Sequence, residues 1–249
     1  MKIIGVIPAR IGSTRLREKV LAPIAGKPMI EHVWERVRQA KKLDEVIVAC
    51  DDKRIVECIQ AAGGKAVMTN PDHPNGSSRV AEIARNHQAD VFINIQGDEP
   101  TISSESIDQL AEAFRREPSI QVATLAVRRS EAEDYENPNV VKVICDAKGN
   151  ALYFSRSPIP YYRDVDEGSK IFLKHLGIYG YQKDFLLKYV TWNPGTLEAC
   201  EKLEQLRILE QGYSIRVIET LHDSWSVDTA QDLEFVESKI KTFLKQSCS

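Results

Sequence analysis

Two stretches of this sequence carry residues that could act on a phosphorylated substrate. The first, "VIPARIGSTRLREKVL", places Arg10, Ser13, Arg15, Arg17 and Lys19 within ten positions, directly after an apolar run. Open parallel sheets bind nucleotides where a strand ends in a polar loop that opens toward a helix, and arginine offers phosphate a bidentate fork. The same residues also suit a solvated surface loop, because charged side chains mostly lie exposed. The second stretch, "NIQGDEP", ends an apolar run in Gly97, Asp98, Glu99 and Pro100. One or two carboxylates at such a strand end, together with substrate phosphates, commonly hold Mg2+. A plain turn is the competing reading, since Gly, Asp and Pro all favour turns.

Further candidates need tertiary structure to matter. In "WSVDTAQDLE", Asp228 or Thr229 could cap a final helix and Asp232 would fall in its first turn. Asp228 becomes a second metal ligand only if the fold carries it to Asp98. In "LEACEKLEQLRILE" an apolar stripe of Leu203, Leu206 and Leu209 marks a helix, and Glu204 falls at a spacing that could aim it inward. Alternation in "LKHLGIYGY" sets His175, Gly177 and Tyr179 on one strand face. Asp164 and Asp166 form a DxD in "RDVDE", a solvated charged loop by its setting.

The elements that would position these residues follow from the hydrophobic pattern. "KIIGVIP", "DEVIVAC", "KAVMT" and "DVFINIQ" are near-continuous apolar runs that suit a parallel sheet covered on both faces. Between the first two, Ile30, Val33, Trp34 and Val37 sit at offsets 0, 3, 4 and 7, an amphipathic helix. Helical patterns from about 52 to 62 and 77 to 87 continue a β-then-α rhythm. From about 122 to 181 the strands shorten and turn signals intervene, which predicts an antiparallel excursion, with "SRSPIPYYRDVDEGSK" as an exposed loop. Helices resume in "TLEACEKLEQLRILEQG", closed by Gly212, and in "DTAQDLEFVESKIKTFL". The expectation is one α/β domain spanning 1–249, an open, mostly parallel sheet with helices on both faces.

Composition narrows the function. A chain of 249 residues, 43% hydrophobic and 28% charged, is globular, and a net charge of −3 gives no global attraction to nucleic acid or an anionic membrane. No apolar run is long enough for membrane insertion and none resembles a secretory signal, so the expected location is cytoplasmic. Five cysteines without a CxxC pair and five histidines without HxxxH spacing provide no disulfide framework and no zinc site. Neither GxGxxG after the first strand nor GxxxxGK[ST] occurs, which disfavours dinucleotide and P-loop enzymes.

Nine segments in order, "IPARIGSTRL", "LAPIAGKPMIEHV", "VMTNPDHPNGSSR", "INIQGDEP", "NPNVVKV", "ALYFSRSPIPY", "HLGIYGY", "CEKLEQLR" and "SVDTAQDLE", resemble the 3-deoxy-D-manno-octulosonate (Kdo) cytidylyltransferase family from Ile3 to about Phe235. The resemblance implies a Rossmann-like sheet of the nucleotide-diphospho-sugar transferase type. It also implies conversion of CTP and Kdo to CMP-Kdo and pyrophosphate for lipopolysaccharide synthesis, with Mg2+, in a homodimer formed through the 122–181 region. By motif match, Pro8, Ala9, Arg10, Ser13, Arg15, Lys19, Arg79 and Gln96 would hold CTP. Asp98 and Asp228 would bind Mg2+ and, with Lys19, form the catalytic set. Arg156, His175, Tyr179, Glu204 and Gln205 would line the Kdo pocket, with Arg156 opposite the sugar carboxylate.

Two stretches depart from the family pattern. "RLREK" stands where the family has "RLPGK", and "GSSR" where it has "GTDR" or "GTER", so Arg17, Glu18 and Ser78 are unusual. Two alternatives remain open at this stage: a cytidylyltransferase acting on sialic acid or 8-amino-Kdo, and a non-catalytic sugar-nucleotide binder.

Overall fold

The computed structural model describes residues 1–13, 16–164 and 170–247, so Arg15 and Asp166 lie outside the described residues. The first half contains β1 (Ile3–Ala9), the short β2 (Pro23–Ile24) and β3 (Lys27–Pro28), α1 (Met29–Val37) and β4 (Glu45–Cys50). It continues through α2 (Lys53–Ala61), β5 (Lys65–Met68), α3 (Gly76–Asn86), β6 (Val91–Asn94) and α4 (Ser104–Arg116). The second half holds β7 (Val122–Arg129), α5 (Ala132–Glu136), β8 (Lys142–Cys145), β9 (Ala151–Ser155) and the long β10 (Phe172–Gln182). After these come α6 (Lys183–Tyr189), α7 (Thr196–Glu201), α8 (Leu206–Glu210), β11 (Arg216–Thr220) and α9 (Ala230–Ser247).

Local chemistry sets the helix starts that matter for the site. Asp52 caps α2 by accepting from the Arg54 amide, and Asn75 caps α3 by accepting from the Ser78 amide at 2.9 Å. In α9, Asp232 accepts from the Asp228 and Thr229 amides while the Thr229 hydroxyl accepts from the Asp232 amide. This reciprocal cap fixes the backbone that carries Asp228.

The main sheet runs β11-β7-β10-β6-β1-β4-β5. Pairings of β1 with β4 and β6, of β4 with β5 and of β11 with β7 are parallel, and β10 is antiparallel to both β6 and β7. Alternation along β1 sends Ile3 and Ile7 into a core with α1, α2 and α4, and Ile4 and Val6 into a core with α3, α6 and α8. Both faces are therefore covered, which is why the strands read as unbroken apolar runs. Within 122–181, β7 and β10 run inside the main sheet, and the β8–β9 hairpin lies off its path.

One expectation changes in detail. The pattern over "TLEACEKLEQLRILEQG" does not form one helix: α7 and α8 are separated at Lys202, whose φ of 54° is left-handed. Arg207 clasps Glu198 at 2.6 and 2.7 Å across the break, and Tyr189 donates to Glu204 at 2.7 Å, so tertiary contacts override the helical period. Alternation in β10 holds, with Leu176 and Ile178 in the core of α1, α2 and α4 and His175 beside Tyr179 on the other face, although a bulge between Leu176 and Tyr179 leaves Gly177 and Ile178 without partners on β7.

A third, smaller core joins Ile24 and Met29 to Val227, Val236 and Ile240. Each fully buried aliphatic side chain contributes about 1.5–3 kcal/mol. This cluster draws the C-terminal helix and the Asp228 segment against the β2–β3 hairpin that follows the N-terminal loop.

Candidate active site

The backbone after β6 approaches the end of β1 closely at Gly97. A Cβ there would lie 2.8 Å from the Pro8 carbonyl oxygen, so only glycine allows the two strand ends to meet. Asp98 follows at once, and its carbonyl accepts from the Val227 amide at 2.9 Å. That single bond, backed by the small core around Val227, brings Asp228 beside Asp98.

Lys19 completes the group. Its Nζ lies 2.6 Å from Asp98 Oδ2 and 2.9 Å from Asp228 Oδ1. Burial works against the ammonium charge, but the two aspartates more than offset it and hold the Lys19 pKa above the ordinary lysine value. An ammonium drawn to two carboxylates occupies the kind of place a hard cation would take. The donor set of two carboxylates fits Mg2+, which usually completes its shell with water and substrate phosphates. Among the described residues, no three His, Cys, Asp or Glu side chains come together as a metal cluster.

The loop after β1 is fastened from below. Ile11 donates its amide to Asp51 at 2.9 Å, and Arg79 reaches Asp51 at 3.4 Å and Thr69 at 2.5 Å. Arg79 is buried and spends these donors inside the protein, yet it still borders the cleft. Pro8, Ala9, exposed Arg10, Ser13 and Lys19 line the same cleft of about 320 Å3, into which the N-terminus of α3 opens at Gly76. At the departure from the family pattern, Glu18 adopts φ 50° and ψ 37°, and its carboxylate pairs with Arg54 at 2.8 Å. Ser78 turns back to the Asn75 carbonyl at 2.9 Å.

A larger cavity of about 740 Å3 adjoins this cleft, and Gly76, Gln96, Asp98 and Asp228 border both. Gln96 donates to the Gly177 carbonyl at 3.0 Å, which ties β6 to the bulge in β10. The cavity gathers Arg156, His175, Tyr179, Glu204 and Gln205. Arg156 is held by the Glu201 and Pro138 carbonyls at 2.7 and 2.9 Å. Burial raises the Glu204 pKa against the donation from Tyr189. His175 is driven down to about 3 by burial and is neutral. Asn94 Oδ1, Tyr179 OH and Gln205 Nε2 are buried without hydrogen-bond partners, which suits a wall meant to meet a hydroxyl-rich ligand.

Several residues in or beside the cavity hold roles that the sequence reading does not assign. Lys174 binds Asp223 at 2.8 Å, and Arg129 binds the same carboxylate at 3.2 Å. Glu99 is buried against Ser224 at 2.9 Å, and burial, reinforced by the Asp98 charge, lifts its pKa to about 7. Lys142 is fully buried and donates to the carbonyls of Asn137, Val140 and Arg156. A lysine in the middle of the apolar run "NVVKVIC" was the available signal for this last residue.

An open α/β sheet whose strand ends carry a basic loop, paired carboxylates and two adjoining cavities defines a nucleotidyltransferase. Residues 4–218 match the family model described as cytidylyltransferase. A 3-deoxy-manno-octulosonate cytidylyltransferase of Geobacter sulfurreducens is 46% identical over 250 residues, covering 97% of this chain and 100% of that protein. Another, of Syntrophobacter fumaroxidans, is 49% identical over 239 residues, covering 95% and 96%. The solved structure of a CMP:2-keto-3-deoxy-manno-octonic acid synthetase complexed with CTP superposes with a TM-score of 0.92 at 43% identity, covering 97% of this chain and 99% of that one. The chain belongs to the 3-deoxy-manno-octulosonate cytidylyltransferase family.

Proposed function

We propose that the protein transfers CMP from CTP to Kdo, giving CMP-Kdo and pyrophosphate and so activating Kdo for lipopolysaccharide synthesis. The observation that carries this reading is that Asp98 and Asp228 border both the 320 Å3 cleft and the 740 Å3 cavity. A reaction joining a nucleotide to a sugar needs its reacting atoms at such a junction.

CTP occupies the cleft, with its phosphates against the loop of Arg10, Ser13 and Lys19 and the N-terminus of α3. Arg15 belongs to the same set by motif match. Kdo occupies the larger cavity, bordered by Arg156, His175, Tyr179, Glu204 and Gln205. The anomeric oxygen bonds to the α-phosphorus in line as the bond to pyrophosphate breaks, and the hydroxyl proton leaves to water. Positioning and charge neutralisation supply most of the rate. Asp98 and Asp228 would hold Mg2+, which when bound would supply charge neutralisation at the phosphates and acidify a nearby hydroxyl. Lys19, beside both carboxylates, would add its positive charge to the phosphates.

A homodimer is part of the proposal. Leu152, Tyr161 and Ile171 are 60%, 86% and 48% exposed, and all lie in the 122–181 stretch. Exposed apolar side chains such as these are available to a subunit interface. Among the described residues no helix is long and apolar enough to cross a membrane, and the proposed location is the cytoplasm.

The test is pyrophosphate release with CTP, Mg2+ and a panel of Kdo, 8-amino-Kdo and sialic acid. Kdo is expected to be the preferred acceptor, and a chelator is expected to abolish turnover. Asp98→Asn and Asp228→Asn should each lose far more turnover than CTP affinity. Near-normal turnover in either variant at saturating Mg2+ would sink that residue's role, and release of no pyrophosphate with any acid sugar would make the protein a binder.

A further inference from the structure

Thr124 lies on β7, fully buried, and its hydroxyl sits inside the bulge of β10. The Ile178 carbonyl at 2.7 Å, the Leu176 carbonyl at 3.2 Å and His175 Nε2 at 3.1 Å surround its oxygen, and the Tyr179 hydroxyl, which can donate to one of its lone pairs, also faces it. A threonine hydroxyl has one proton and two lone pairs. Carbonyls can only accept, so the proton goes to them, and the shorter contact to Ile178 takes it. What remains for His175 is a lone pair, and the ring nitrogen facing it must carry hydrogen.

The ring is neutral at physiological pH, because burial disfavours its charged form. A neutral imidazole with hydrogen on Nε2 has a bare Nδ1. Among the described residues the ring's hydrogen bond is the one at Nε2, and the half-buried ring borders the 740 Å3 cavity. Phe154 packs edge-on at 5.0 Å and Tyr179 at 5.4 Å, which restrains the ring from turning over.

We propose that Thr124 is a positioning residue of the sugar pocket: it fixes His175 in the tautomer that presents Nδ1 as a hydrogen-bond acceptor, so that His175 reads a donor hydroxyl of the sugar and not its carboxylate. The identity of the ligand rests on the proposed reaction; the tautomer does not. A lone pair on Nδ1 repels a carboxylate oxygen, which leaves the acid group to the cationic side of the cavity at Arg156 and Lys174.

The direct test is long-range proton–nitrogen NMR of the His175 ring in the ligand-free wild-type enzyme at neutral pH. Protonated Nε2 with bare Nδ1 is expected, and the opposite tautomer overturns the proposal without any variant having to fold. Thr124→Val keeps the side-chain shape and removes the acceptor. It is expected to perturb the ring nitrogens and raise KM for Kdo roughly tenfold, the scale of one lost hydrogen bond, with KM for CTP unchanged and Thr124→Ser restoring both signals. An unchanged Kdo KM, or an equal rise in the CTP KM, overturns the positioning role. If the wild type releases no pyrophosphate with Kdo, the proposed reaction fails while the ring spectrum still decides the tautomer.

Discussion

Glu18 holds a left-handed backbone, φ 50° and ψ 37°, while its carboxylate accepts a 2.8 Å hydrogen bond from Arg54. The family pattern has glycine at this position, and the backbone here keeps the shape that glycine would favour. Arg54 also grips Asp52, the cap of α2, and holds its carboxyl down to about 2. The loop that delivers Lys19 is thus tied to α2 where the Pro-Gly turn is missing.

Glu18→Gly is therefore expected to be close to neutral for stability. Relief of the left-handed backbone, about 1–2 kcal/mol, is largely offset by the extra freedom of glycine in the unfolded chain, about 0.4–1 kcal/mol, together with loss of the exposed Arg54 ion pair, a small contribution in solvent. Glu18→Val, β-branched at positive φ, should lower the thermal midpoint and raise KM for CTP. Thermal unfolding and CTP kinetics of the two variants check this, and a Val variant as stable as Gly would contradict it.

Gly97→Ala should damage both stability and nucleotide binding. The new Cβ would stand 2.8 Å from the Pro8 carbonyl oxygen, and backbone cannot swing aside as a side chain can. Overpacking of this kind costs about 1–3 kcal/mol. Chemical denaturation should register that loss, and a CTP titration should show weaker binding because Pro8 borders the cleft.

Glu99 should make the metal-free protein less stable as pH rises from about 4.5 to about 7. Its folded pKa is raised to about 7 from the ordinary glutamate value near 4.5, chiefly by burial and then by the Asp98 charge. Folding therefore takes up a proton in that window, and stability falls across it. At about 1.4 kcal/mol per pKa unit, the decline is on the order of 3 kcal/mol. Denaturation midpoints at pH 4.5 and 7.5 in chelator should show a steeper drop for wild type than for Glu99→Gln; equal drops would refute the burial effect.

Lys142→Met should destabilise the fold and loosen the sugar pocket together. The ammonium donates to the carbonyls of Asn137, Val140 and Arg156 at 3.0, 2.7 and 2.7 Å. Orphaning buried acceptors costs about 1–3 kcal/mol each, so the thermal midpoint should fall by many degrees. KM for Kdo should rise more than KM for CTP, because Arg156 borders the larger cavity and not the cleft.

Much of this protein was legible in its sequence because the signals are local. Near-continuous apolar runs and a 3.6-residue period dictate strands covered on both faces by helices. The motifs at 7–16, 93–100 and 226–234 carried the resemblance that the relatives bear out at family level. Proximity is another matter. Nothing in the chain between them brings Asp228 to Asp98; a backbone bond from Val227 and the small core around Val236 and Ile240 do that. The break at Lys202, the bulge at Gly177 and Ile178, and the buried contacts of Thr124 and Lys142 arise from groups far apart in sequence competing for the same hydrogen bonds. Local pattern fixes which elements form, while long-range packing and hydrogen-bond satisfaction decide which side chains meet.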